Sequence, residues 1–188
     1  MILYLHGFRS SPQSFKARLL HHFFAAKEQS QLFQCPQLPV SPKAAMSMAR
    51  ELCRSVPPEA LALIGSSLGG FYATALAEEF GCRAVLLNPA ITPASDLRKH
   101  VGMQRAWHSE EQFEFRAEYV DELAPITRAR ITRPERYFLI AATGDEVLDW
   151  RQMVAHYPGA RHKVIEGSDH GLSDFAQYME EVVQFCVP

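Results

Sequence analysis

Residues 65–70 read Gly-Ser-Ser-Leu-Gly-Gly, after the apolar run "ALALI" and before "FYATALAEEF". Within them Ser67 is the centre of a G-x-S-x-G pattern. By chance such a pattern arises in roughly one chain in twenty of this length, so its context must carry the argument. Here a buried-type strand runs into the pattern and a helix leaves it, the setting of a nucleophile elbow. Gly65 and Gly69 give the backbone room to fold sharply at Ser67. The Leu68 amide then lies at a helix N-terminus, where unpaired N–H groups and the helix dipole favour negative charge. Ser66 fails the same test, because Ile64 and Leu68 flank it where glycines should stand. The chemistry implied is acyl transfer through a serine nucleophile.

A serine hydroxyl is a poor nucleophile without a base. After such an elbow an acid and then a histidine follow, each just past a later strand. Of His100, His108, His156, His162 and His170, only His170 lies in the loop after the last strand, in "IEGSDHG". In "YFLIAATGDEVLDW" the strand ends at Ala142, the chain turns at Gly144, and Asp145 comes next. Glu146 would point elsewhere, and Asp149, at the start of a helix, reads first as a dipole or capping partner. Asp169 adjoins His170 and reads as a solvated loop residue. Asp145 therefore ranks first as the acid and Asp149 second. For the oxyanion, "YLHGF" offers the backbone N–H of Phe8 as partner to that of Leu68. His6 precedes the serine and reads as part of the oxyanion loop rather than as the base.

These residues need a frame that brings strand ends together. Six short apolar runs read as strands: 2–5, 32–35, 61–65, 84–88, 137–142 and 162–166. Most are continuously apolar, as in a parallel sheet covered on both faces. Helical patterns occupy 14–26, 43–54, 68–80 and 173–186. Alternating strands and helices predict a doubly wound α/β sheet, with strand order 2-1-3-4-5-6 and the site at the strands' C-terminal edge. From Pro89 to about Pro134 the chain is longer than one crossover needs and mixes aromatic and charged residues. We expect a single domain over 1–188 with a helical, cap-like insert around 92–130. In a helix Phe115 and Tyr119 would share a face that either lines an acyl slot or packs on the sheet.

Composition excludes several classes. The 188 residues are 47% hydrophobic and 21% charged, with net charge −2, an ordinary globular balance without the basic footprint of a nucleic-acid binder. No apolar run approaches the ~20 residues of a membrane span. Met1 leads straight into "ILYLHGF" with no signal-peptide pattern, so the expected location is the cytoplasm. The four cysteines, Cys35, Cys53, Cys82 and Cys186, form no C-x-x-C pair and are expected to be reduced, mostly buried thiols. No G-x-G-x-x-G or Walker lysine points to a phosphate binder.

Five segments in order, "LYLHGFRSSPQSFKA", "GSSLGGFYAT", "LNPAI", "TGDEVLDWRQ" and "VIEGSDHGL", resemble the YqiA-type bacterial esterases, small members of the α/β-hydrolase superfamily. The resemblance runs nearly the full chain and is weakest between about Thr92 and Arg130. It implies a compact hydrolase sheet and an esterase acting on acyl esters, with acyl-CoA thioesters as a further substrate class. It carries the nucleophile to Ser67, the acid to Asp145 and the base to His170, with no cofactor. The expected partner is a small ester or thioester, with no nucleic acid. The same triad would serve a serine peptidase or acyltransferase. The fold alone would serve a catalytically idle interaction protein, although an idle site has no reason to keep all three groups.

Overall fold

A computed structural model describes residues 1–187. Its strands are β1 (Ile2–Leu5), β2 (Phe33–Gln34), β3 (Ala62–Ser66), β4 (Arg83–Leu87), β5 (Gly102–Arg105), β6 (Gln112–Phe115), β7 (Tyr137–Ala142) and β8 (Arg161–Ile165). The α-helices are α1 (Phe15–Ala26), α2 (Pro42–Arg54), α3 (Leu68–Phe80), α4 (Pro93–Arg98), α5 (Ala117–Asp121), α6 (Trp150–His156) and α7 (Met179–Cys186). Six strands form one sheet in the order β2-β1-β3-β4-β7-β8, and every pairing in it is parallel. This is the order expected from the sequence. The chain leaves β1 in one direction to reach β2 and returns on its other side as β3. The loops after β1 and β3 therefore flank the crevice where the winding reverses.

Side-chain alternation in the strands divides the core in two. Leu3, Leu5, Leu63, Leu86 and Leu139 face α2, α3 and α6. Ile2, Tyr4, Ile64, Val85 and Ile140 face α1 and α7. Strands β1, β3 and β7 are buried along their whole length, which explains their unbroken apolar sequences. Strand β8 is an edge and is only partly covered. Its Lys163 pairs with Glu181 of α7 at 2.8 Å. Among the described residues no helix is long and apolar enough to cross a membrane.

The insert departs in part from the expected helical form. It holds the short helices α4 and α5, but between them β5 and β6 form an antiparallel hairpin in which Gln104 pairs with Phe113 and Gly102 with Phe115. Phe115 thus ends a strand while Tyr119 lies in α5, so no helix face unites them. Their rings still meet, with centroids 5.7 Å apart, because α5 follows the strand almost directly. The insert is tied to the rest of the protein by Glu122, whose carboxylate accepts from the Ser41 hydroxyl at 2.6 Å and the Lys43 amide at 3.0 Å.

Candidate active site

Ser67 stands between the last residue of β3 and the first of α3, with φ 54° and ψ −120°. Its amide donates to the Leu87 carbonyl at 3.0 Å, and its carbonyl accepts from the amides of Gly70 at 2.9 Å and Ala90 at 3.0 Å. The turn is therefore fixed from β4 as well as from its own helix. The flanking glycines are needed for close approach. A Cβ on Gly69 would overlap the Leu5 carbonyl and lie 2.8 Å from that of His6, and one on Gly65 would lie 2.7 Å from the Ala73 methyl. The first turn of α3 packs directly on the end of β1, which brings the loop after β1 beside the serine. A Cβ built on Gly7 would sit 3.7 Å from Ser67 Oγ.

In that loop His6 is buried. Its Nε2 accepts from the Leu38 amide at 3.0 Å. An amide can only donate, so Nε2 is unprotonated and Nδ1 carries the hydrogen that meets the Gly7 carbonyl at 3.0 Å. Burial lowers the His6 pKa below the ordinary histidine value. His6 thus clamps the loop as a neutral side chain. The Phe8 ring packs edge-on against Phe115 and Phe113 of the hairpin, with centroids 5.0 and 6.1 Å away. Beyond it the Trp107 amide donates to the Arg9 carbonyl at 2.8 Å, and the Arg9 side chain donates to the Arg105 carbonyl at 2.6 Å. The loop bearing the Phe8 amide is held from both sides, and neither that amide nor Leu68's donates to another group among the described residues.

The loops after β7 and β8 supply the other groups. His170 Nε2 lies 3.1 Å from Ser67 Oγ, and its Nδ1 lies 2.8 Å from Asp145 Oδ2. The other Asp145 oxygen accepts from the amides of Val147 and Leu148, both at 2.8 Å, which locks the carboxylate in its orientation. The two loops are stitched together where the Gly167 amide donates to Thr143 Oγ1 at 2.9 Å. The structure therefore unites Ser67, His170 and Asp145. Asp149 stands apart as the N-cap of α6, accepting from the Arg151 amide at 2.9 Å. Asp169 accepts from the Ser173 amide at 2.8 Å, a bond that leads in lowering its pKa. His162 bonds the Tyr157 carbonyl at 2.7 Å, and His100 packs on the Phe8 ring.

Three residues that bond to the backbone around His170 escaped the sequence reading. Asn88, fully buried after β4, donates to the carbonyls of Asp169 and His170, both at 3.0 Å, and accepts from the Ala142 amide at 2.8 Å. Glu146, expected to point elsewhere, accepts from the His170 amide at 3.0 Å. Lys16, buried in α1, donates to the Gly171 carbonyl. The one available signal was the polar Asn closing the apolar run "AVLLN".

A cavity of about 300 Å³ opens beside the Phe8 and Leu68 amides, with Leu38, Val40, Tyr72 and Phe113 among its walls and Arg9 and Glu111 among its polar groups. On the other side a cleft of about 270 Å³ runs between Pro89 and Leu148. The cysteines carry no disulfide. Burial pushes Cys53 up to about 11 and Cys35, Cys82 and Cys186 up to about 12, so these thiols are poor nucleophiles. A serine held against an imidazole, itself held against a carboxylate, is equipped for nucleophilic attack on a carbonyl.

Residues 1–187 match the family described as "Uncharacterised protein family (UPF0227)". The chain belongs to this family. UPF0227 is where the YqiA-type motifs of the sequence point. Among solved structures the UPF0227 chain is similar to a proposed hydrolase from Agrobacterium vitis S4, at 18% identity and TM-score 0.77, covering 98% of this chain and 87% of that one. It is also similar to mouse alpha/beta hydrolase domain-containing protein 10, at 14% identity and TM-score 0.69, covering 97% and 89%. A third likeness is to the esterase domain of a Rhodothermus marinus protein, at 20% identity and TM-score 0.62, covering 97% and 83%. At these identities the likeness is one of fold, and the UPF0227 chain has the α/β-hydrolase fold.

Proposed function

We propose that the chain is a serine hydrolase of carboxylic esters, with Ser67 as nucleophile, His170 as general base and then acid, and Asp145 as the carboxylate that orients the imidazole. One observation carries the reading: Ser67 Oγ lies 3.1 Å from His170 Nε2 while Asp145 Oδ2 lies 2.8 Å from Nδ1. His170 takes the hydroxyl proton as Oγ attacks the ester carbonyl. The resulting oxyanion accepts hydrogen bonds from the Phe8 and Leu68 amides. Collapse breaks the bond to the alcohol, which leaves with the proton from His170. Water then attacks the acyl-enzyme by the same proton path and frees the acid and Ser67. The same steps cleave a thioester, with a thiol as leaving group, so acyl thioesters join esters as the substrate class. The hydrolase and esterase names of the fold neighbours agree with this chemistry.

In this reading the 92–130 insert is a cap, and the cavity beside Phe8 and Leu68 receives the acyl chain. The four unpaired cysteines suit a reducing compartment such as the cytoplasm. The test is a fluorophosphonate probe followed by digestion and mapping, beside a panel of esters, thioesters and peptides. Labelling at Ser67 and ester turnover are expected, and Ser67→Ala should lower turnover by at least ~10⁴-fold. Labelling at Ser66, or none in the folded protein, would overturn the assignment.

A further inference from the structure

Lys16 is the second residue of α1, on the face that also buries Ala17 and Leu20. An apolar side chain would fill that position without the desolvation penalty of an ammonium group. Burial pushes its pKa down to about 8, against the opposing pull of Asp169 and Asp145, the carboxylates that face it from the loops after β8 and β7. What the ammonium gains in return is the carbonyl of Gly171, the residue immediately after His170. Other restraints on this loop come from different directions: Asn88 holds the carbonyls of Asp169 and His170, Glu146 holds the His170 amide, and Asp169 accepts from the amides of Leu172 at 3.0 Å and Ser173 at 2.8 Å. Gly171 has no side chain with which to pack its own backbone in place.

Resting on the reading of His170 as the general base, we propose that Lys16 is a positioning residue: its donor, fixed in α1, holds the Gly171 backbone so that His170 Nε2 stays within reach of Ser67. Lys16 touches no reacting atom. Displacing a catalytic group by about 1 Å can lower a rate ~100-fold, so even a small shift of the loop at Gly171 would be read in the rate.

The test compares wild type, Lys16→Met, which keeps the length and removes the donor, and Lys16→Gln, which keeps a donor and removes the charge. With a short-chain ester, Lys16→Met should lower kcat by at least ~10-fold while KM stays within about two-fold, and Lys16→Gln should recover part of the loss. A merely structural lysine would lower folded fraction and leave the kcat of the folded protein alone. Unchanged kcat in folded Lys16→Met, or a loss confined to KM, overturns the proposal. If Lys16→Met does not fold, Lys16→Gln decides: its shorter, uncharged donor should lower kcat at constant KM, and a kcat equal to that of wild type overturns the role. Fluorophosphonate labelling of Ser67 in wild type keeps the two readings separate: its failure sinks the hydrolase assignment, whereas success with an unaffected Lys16→Met sinks the lysine's role alone.

Discussion

The side-chain amide of Asn88 donates to the main-chain carbonyl of His170 at 3.0 Å. With its bonds to Asp169 and Ala142, it joins the end of β7 to the loop that carries the imidazole. Asn88→Ala leaves three main-chain groups in need of partners, at least one of them deeply buried. The expected cost is roughly 3 kcal/mol of stability, together with a fall in kcat larger than the loss of folded protein. Denaturant unfolding and active-site titration with a fluorophosphonate separate the two. A variant equal to wild type in both would show that the loop holds itself.

Asp145 and Asp149 are told apart by what they touch. Asp145→Asn keeps the shape but favours the wrong imidazole tautomer, and kcat should drop by ~10⁴-fold. Asp149→Asn should be mild, because asparagine also caps helices well. Steady-state kinetics on both variants checks this, and a reversal of the two effects would move the acid to Asp149.

The hairpin aromatics divide in the same way. Phe113 borders the cavity, whereas Phe115 is buried in the core. Phe113→Ala should shift the preferred acyl chain length, each accommodated methylene adding up to ~0.8 kcal/mol of binding. Phe115→Ala should instead destabilise the fold by about 3–5 kcal/mol. The measurements are kcat/KM over a chain-length series and thermal unfolding. Tyr119 meets the Phe115 ring and Trp107 lies on exposed hairpin surface, so neither is expected to match Phe113 in effect.

The buried His6 is expected to make stability depend on pH. Burial lowers its folded-state pKa, while the unfolded chain keeps the ordinary value near ~6.5. Above about pH 6.5 neither state holds the proton and His6 adds no slope. As pH falls through ~6.5 the unfolded state binds the proton first, so stability declines until the folded-state value is passed. His6→Gln removes this titration. The wild-type curve of unfolding free energy against pH should fall more steeply than the variant's as pH drops below about 6.5. Parallel curves would show that His6 titrates alike in both states.

Ser67, Asp145, His170 and Phe8 were legible because each lies in the turn or loop just past a strand, and a parallel sheet delivers all such positions to one edge. Lys16, Asn88 and Glu146 were not. Each acts on main-chain atoms far away in sequence, and nothing in the spacing of a lone polar residue reveals a distant carbonyl. The hairpin was missed for another reason. "QFEF" alternates as a half-buried strand does, but the dense charges and the four-residue interval from Phe115 to Tyr119 also fit a helix. The loop joining β5 to β6 carries no two-residue turn signature to decide between them.

The backbone at Ser67, with φ 54° and ψ −120°, has a consequence for how this chain persists. A side chain held in so sparsely populated a region carries roughly 1–3 kcal/mol of strain. Glycine would carry far less, and Ser67→Gly should be more stable than Ser67→Ala, with both inactive. Serine thus stands at a position of this turn where stability favours glycine, and under the proposed mechanism that strain is what aims the hydroxyl at His170.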